Sequence, residues 1–442
     1  MPAVETLLMM DREGRILPKL AERWEVAQDL NAITLHLRRD VRFHDGSEFN
    51  AEAVRWNLNK QLEAGLLPMV QTVRVLGPYT VRLELREWDN RIFALLAERQ
   101  GLMISPRSYE RNGADWARWN PVGTGPFQVV RYERGAGAIY RRFEGYWDKG
   151  KPYVDAIEYP FVTDAPTLQS AFLAGRLDLI NPGAEVAHEL AQRGFPTFSD
   201  WNGMFLLIPD SANPNSPFAD SRVRLAVWLA LNREEIVRAR GFGVQQPVYQ
   251  VAWPGTDAYL SQLVGPRHDP AQAKRLLAEA GYPNGFTSEL VAQTATVTAP
   301  VEVLQIIQQQ LSEVGIRVTI RRLGVAQYLH AITNGWSGLL QYPLTFRANY
   351  VQLTGTYWIE LAFKSWRRPA LLQRAFHEAR RTRIPEAIKV KRINQILVKE
   401  YDLIPVYVTK SVYVHKPYVR NTGHLKWHYF AIWTPAEVWL DR

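Results

Sequence analysis

The chain has no cysteine among its 442 residues. Disulfides, thiolate metal sites and cysteine nucleophiles are therefore excluded, while either redox compartment stays open. No apolar run reaches the ~18 residues that a membrane-spanning helix needs. The first residues, running from Met1 through Glu5 to Gly14, lack the basic and apolar regions of a secretory signal. Internal repeats and low-complexity segments are lacking too. So are a G-x-S-x-G elbow, an H-E-x-x-H helix, a Walker A loop and a dinucleotide G-x-G-x-x-G turn. The formal charge of +9 is modest for this length. It is scattered, as in Arg141–Trp147 and His377–Arg383, with no basic stripe interleaved with aromatics, which argues against a nucleic-acid partner.

What is present points to a large α/β protein. A chain this long exceeds one core and implies two or three lobes. The stretch Trp119–Trp147 organises the rest. Pro121, Gly123, Thr124, Gly125 and Pro126 make a rigid elbow. Strands 127–132 and 138–143 flank a turn at Gly135 and Gly137, and an aromatic corner follows at Tyr146-Trp147. Before it, Ala32–Arg38 alternates as a half-buried strand, and Asn50 caps a helix lined by Val54, Leu58 and Leu62. After it, strand 155–159, a helix begun by Asp164 and Pro166, and strand 177–180 read as a parallel crossover. Met204–Ile208 is a buried strand. Asn232 and Glu235 form a capping box. A helix through Val303, Ile307, Leu311 and Val314, strand 316–320, helix 385–401 and strand 404–408 complete the pattern.

The string NPVGTGPF, its hairpin and FEGYWDKGKPYVDAIEY resemble the signature of the peptide/nickel ABC-importer solute-binding proteins (extracellular solute-binding protein family 5). The segment Phe218–Val237 resembles a second family element, and similar pieces recur along nearly the whole chain. The resemblance implies a periplasmic-binding-protein-like α/β fold (type II, cluster C) with two large lobes, a hinge and a smaller extra domain. The extra domain is expected at 1–120, the first lobe at 121–208 plus 410–442, and the second at 209–409, with the exposed boundary at 209–217. The implied function is capture of a small organic solute outside the inner membrane and delivery to ABC permease subunits. The protein would be a periplasmic or extracellular monomer with no cofactor and no catalysis. A hydrolase using the same cleft, or a non-transporting paralogue, remain the alternatives. The family's leading strand and signal peptide have no counterpart before Met1, so an N-terminal truncation is expected.

Fifteen Trp and nineteen Tyr exceed the needs of a core this size, and aromatic faces suit clefts. Trp336, Gln341, Tyr342, Phe346, Arg347 and Asn349 are the candidate ligand-binding residues. Peptide-binding relatives carry at this loop an acid that holds the peptide ammonium. Here Gln341–Asn349 has no acid and offers the Arg347 guanidinium, so an anionic or sugar-like solute is expected over a free peptide N-terminus. Glu360 and Asp210 are the next acids to suspect. His424 and His428 are four apart, but a core or surface role fits their setting better than a metal. Glu234-Glu235 and Asp148/Asp155 fit helix-start and turn positions better than a glycosidase pair.

Overall fold

The computed structural model describes residues 2–11, 13–263, 265–294, 300–361, 363–399, 401–422 and 435–442. Its N-terminal part is a four-stranded antiparallel sheet ordered Ala21–Val26, Ala32–Leu37, Thr80–Leu85 and Val70–Gly77. Helix Ala51–Glu63 covers one face. The Asn50 side chain accepts from Ala53 N at 3.1 Å, satisfying one of the helix's orphan N–H groups. Val54 and Leu58 are fully buried, and Leu62 packs at the edge of the same cluster. That cluster also takes Leu7, Phe43, Phe49 and Phe93, so this part has a core of its own.

The elbow at Thr124 is where the start of the chain is fastened. Glu5 lies in a two-residue strand paired with Leu102–Met103 and is only 3 % exposed. Its carboxylate accepts from Tyr146 Oη at 2.8 Å, and from Thr124 Oγ1 and Trp147 Nε1 at 2.9 Å each. Lys19 Nζ pairs with it at 2.9 Å. Burial and the Glu5 charge push the Tyr146 phenol well above its ordinary range. A Cβ on Gly123 would sit 2.2 Å from Ala3 O, and one on Gly125 2.3 Å from Pro2 O. Only glycine lets the two segments approach so closely. The Gly-Thr-Gly and Tyr-Trp pieces of the signature thus serve one buried carboxylate, a structural role.

His44 completes the elbow. Its backbone N–H donates to Gly123 O at 2.9 Å and its Nε2 lies 2.8 Å from Gly125 O. Its ring meets Phe143 edge-on at 4.8 Å. Burial holds the imidazole below its ordinary range, although Gly125 O, Glu5 and Asp45 work the other way. A base whose folded pKa is depressed binds fewer protons folded than unfolded. Its contribution is therefore present above about pH 6.5 and is lost as the pH falls through the folded value. Wild type should lose more unfolding free energy between pH 7.5 and 5 than His44→Gln does. Parallel urea-unfolding profiles for the two proteins would remove His44 as the cause.

The expected hairpin forms, with Phe127–Glu133 against Gly137–Arg142. A third strand, Ala156–Pro160, adds antiparallel to it. Helix Ala165–Leu173 follows, with Asp164 accepting from Thr167 N at 2.9 Å. The expected parallel crossover is absent. Leu179–Ile180 joins a different sheet, antiparallel to Val414 and His415. Ala156–Pro160 is exposed at every second residue and half-buried between, whereas parallel strands are buried on both faces.

The main sheet is ordered Leu179–Ile180, Ile404–His415, Thr197–Pro209, Leu339–Thr345, Phe286–Gln293 and Ile316–Leu323. Gln245–Pro247 pairs with the 404–415 strand off that path. Phe286–Gln293 runs parallel to both of its neighbours, and helix Val301–Glu313 makes the crossover. Met204–Ile208 is wholly buried because both faces are covered. Met204, Leu206 and Ile208 enter one hydrophobic cluster, and Phe205 and Leu207 enter the other. Gly203–Pro209 pairs antiparallel with Leu339–Thr345, while Thr197–Trp201 pairs with Lys410–Val414. The long strand shifts register against its partner between Trp201 and Gly203. In the loop after it Asp210 and Ser211 are buried, and exposure begins at Ala212.

Candidate functional site

Strand Leu339–Thr345 carries two of the expected site residues, Gln341 and Tyr342, into the protein interior, and Phe346 follows at its end. Gln341 is fully buried, with neither side-chain amide atom hydrogen-bonded among the described residues. Tyr342 turns to the opposite face, edge-on to Phe363 at 5.0 Å and to Tyr357 at 6.1 Å. Burial pushes its phenol far up. Phe346 meets Trp253 edge-on at 5.3 Å. Trp336 donates from Nε1 to Ile208 O at 3.2 Å and borders a cavity of about 590 Å³ with Leu323 and His330. Asn349 accepts from Gln352 N at 2.9 Å and so caps helix Tyr350–Leu353. Tyr342, Phe346 and Trp336 belong to one hydrophobic cluster.

Arg347 is placed otherwise. Its Nη1 lies 2.6 Å from Glu98 Oε2, and Gln352 Nε2 donates to the same oxygen at 2.9 Å. The guanidinium lies over the Tyr357 ring at 5.7 Å. Burial opposes its charge, and Glu98 and Tyr357 together more than offset that, so its pKa is raised. The loop carries no acid, as read from sequence, but the N-terminal part supplies one across the interface. Glu98 was not among the expected residues. It ends an otherwise buried run, Ile92–Ala97, in which only Leu95 is half-buried. A carboxylate closing such a run needs a cation or donors, and that was the available signal.

A second pair crosses the same interface. Arg91 Nη1 reaches Glu360 Oε1 at 2.6 Å while its Nη2 holds Asp89 at 2.8 Å. Glu360, one of the two acids suspected, therefore has a cation already. The other, Asp210, is 2 % exposed, and burial raises its pKa. A Cβ on Gly355 would stand 2.1 Å from Arg91 Nη1, so the guanidinium lies directly against the backbone there. Gly355 belongs to a π-helical turn, Thr354–Glu360, a rare geometry that recurs at functional sites.

These groups surround a cavity of about 600 Å³, within the range of small-molecule sites. Met69, Leu95, Glu98, Arg99, Arg347 and Gln352 are among its walls. Arg99 is exposed and has no ion-pair partner among the described residues. Gln352 is 2 % exposed, and its Oε1 has no hydrogen-bond partner among them. The cavity thus has a cation at its rim and an unfilled acceptor in its wall. Of the six expected residues only Arg347 lines it. Asn349 borders a separate cavity of about 790 Å³.

No group of three or more His, Asp or Glu suited to a metal occurs among the described residues, and His424 and His428 lie outside them. Glu234 accepts from Tyr249 Oη at 2.7 Å, and Glu235 from Gln310 Nε2 at 3.1 Å. Asp148 and Asp155 pair with Lys151 and Arg142. All four acids have structural partners. No helix among the described residues is long and apolar enough to cross a membrane.

The model for bacterial extracellular solute-binding proteins, family 5 (middle), matches residues 15–358. The glutathione-binding protein GsiB of Salmonella choleraesuis (strain SC-B67) is 32 % identical over 330 residues, covering 73 % of this chain and 64 % of that protein. The chain thus aligns with somewhat under two thirds of that relative's length. GsiB of Escherichia coli O157:H7 is 27 % identical over 436 residues, covering 92 % and 84 %. Among solved structures, NikA from Brucella suis in complex with Fe(III)-EDTA superposes with a TM-score of 0.84 at 23 % identity, covering 95 % of this chain and 90 % of that one. The binding protein AgaA in complex with agropinic acid gives 0.82 at 22 %, covering 100 % and 93 %. These likenesses establish the type II periplasmic-binding-protein fold, and the match over 15–358 places the chain in a family: it belongs to the bacterial extracellular solute-binding proteins, family 5.

Proposed function

We propose that the chain is the solute-capturing component of an ABC importer. It binds a small organic solute outside the inner membrane, closes on it and presents it to a membrane permease, without catalysis. The observation that carries this reading is the 600 Å³ cavity whose walls come from two parts of the chain joined by Arg347–Glu98 and Arg91–Glu360. Ion pairs across a cleft that opens and shuts favour the closed form. The two lobes would pivot where the long strand shifts register near Trp201–Gly203, opposite Thr409 and Lys410.

The ligand expectation changes with the site. Arg347 already has Glu98, so the anion-binding role passes to Arg99, and Gln352 Oε1 adds an acceptor for a ligand N–H or O–H. A solute carrying a carboxylate and a hydrogen-bond donor suits both. Glutathione, named for the GsiB relatives, is the first probe, with the dipeptide Met-Leu and glucose beside it. Titration calorimetry should give micromolar binding for a carboxylate-bearing probe and none for glucose. Arg99→Ala should weaken that binding about tenfold, the loss of roughly one charge-assisted hydrogen bond. A hundredfold excess over Kd should stabilise the fold by about 2.7 kcal/mol, with a smaller radius of gyration in solution scattering. An unchanged radius at saturation would contradict closure. Binding indifferent to Arg99→Ala would contradict the site.

A further inference from the structure

The larger cavity, about 790 Å³, lies on the other side of loop 345–349 from the Arg99 cavity: Arg347 lines one and Asn349 the other. From the N-terminal part it takes Ile16, Trp24, Val26 and Phe93; from the C-terminal half it takes Ile384 and Pro385. Trp24 and Phe93 have ring centroids 6.0 Å apart, tilted by 43°. Ile384 is 70 % exposed, a large apolar side chain left in water beside an apolar wall.

Asn90 also lines this cavity and is 1 % exposed. Its Nδ2 donates to Ala379 O at 2.8 Å, Thr382 O at 3.1 Å and Thr382 Oγ1 at 3.2 Å. Three acceptors around one nitrogen fix which end of the amide is which. The other end, Oδ1, is a buried acceptor with no partner among the described residues. Buried acceptors are nearly always filled, and an unfilled one invites a donor. The charges along the rim largely offset one another. Glu13 pairs with Arg15 at 3.4 Å, Glu25 has Arg23 and His36, and Arg383 donates to Val26 O at 3.3 Å. Asp257, exposed on the same rim, has no ion-pair partner among the described residues and is offset by the Arg383 guanidinium, which has none among them either, so the rim carries no excess charge for a ligand to match.

We infer that this cavity is a second binding site, distinct from the Arg99 cavity, for an uncharged aromatic molecule bearing one N–H or O–H donor. The ring packs on Trp24 and Phe93, the donor fills Asn90 Oδ1, and Ile384 closes over the exposed edge. The inference does not rest on the transport reading. A protein that takes no solute at Arg99 and still fills this cavity would defeat that reading and leave this one standing.

The test uses N-phenyl-1-naphthylamine, a diarylamine whose fluorescence rises in apolar surroundings, against the full-length protein. Saturable uptake of one probe per chain is expected. The N-methyl derivative, which has lost the donor, should bind at least tenfold more weakly. Ile384→Asp, at an exposed position where the fold is not at risk, should weaken the probe at least fivefold, and Arg99→Ala should leave it unchanged. Failure to saturate, equal binding of the two probes, indifference to Ile384→Asp, or loss of the probe in Arg99→Ala would each overturn the inference.

Discussion

Glu5→Ala is expected to lower the unfolding free energy by about 3–5 kcal/mol, the cost of removing one partner from a buried ion pair. The carboxylate has four partners from three places in the chain: Lys19, Thr124, and the Tyr146-Trp147 corner. Removing it leaves an ammonium that is 15 % exposed with no acid beside it. It also strips the acceptor from a hydroxyl, a phenol and an indole N–H, each costly to leave unfilled. Lys19 retains its place 5.1 Å from the Trp147 ring, which softens the loss but does not replace the charge. Glu5→Gln keeps the shape and one acceptor oxygen, so about half the loss is expected. Denaturant unfolding of the three proteins at pH 7.5 decides it. A Glu5→Ala protein within 1 kcal/mol of wild type would show that the clamp is ornamental to the fold.

This clamp also shows what could be read in the sequence and what could not. The elbow, the hairpin and the aromatic corner follow from local rules, because Gly, Pro and alternation act within a few residues. Their purpose does not follow, because Thr124 and Glu5 are 119 positions apart. The same limit explains the failed crossover. The strand, helix and strand between 155 and 180 are legible in local pattern, but which sheet each strand joins depends on partners as distant as Val414. The capping residues Asn50, Asp164 and Asn232 are legible because their partners lie three residues away.

The candidate site divides along the same line. Absence of an acid from Gln341–Asn349 was correctly read, but the inference of an anion at Arg347 missed Glu98, 249 positions away. The cluster's aromatics stand out for their number, and most of them fill one hydrophobic core cluster. Tyr342, Phe363, Trp358 and Trp366 pack against one another there. Abundance of aromatic residues marks a well-filled interior as readily as a cleft. The residues that distinguish the Arg99 cavity are those whose hydrogen-bonding capacity is unfilled, a property that only the assembled structure can reveal.

Arg224→Met is expected to cost about 3–5 kcal/mol as well. The Phe218–Val237 segment places two arginines at a helix start, where a solvated or salt-bridged role is the simplest reading of both. Arg222 fits it, half-exposed and held by Asp220 at 2.6 Å. Arg224 does not stay in solvent: it is 0 % exposed and pairs with Asp402, 2 % exposed, at 3.1 Å. Its Nη1 also donates to Phe218 O and Ala219 O at 2.9 Å each. The pair ties the start of helix Ser221–Ala230 to the turn that launches strand Ile404–His415, which is paired on both sides in the main sheet. Methionine fills the volume of the side chain but takes the Arg224 cation away from the buried Asp402, and the loss of that partner dominates. The double variant Arg224→Met/Asp402→Leu removes both charges, and replacing a buried pair by apolar residues is often near neutral. It should therefore be more stable than Arg224→Met alone, by about 2 kcal/mol or more, a coupling of the size found for residues in direct contact. Guanidinium unfolding of the two single variants and the double variant gives the cycle. Additive losses would mean that Arg224 acts through its carbonyl contacts at 218 and 219, and the ion pair would then carry no share of the stability.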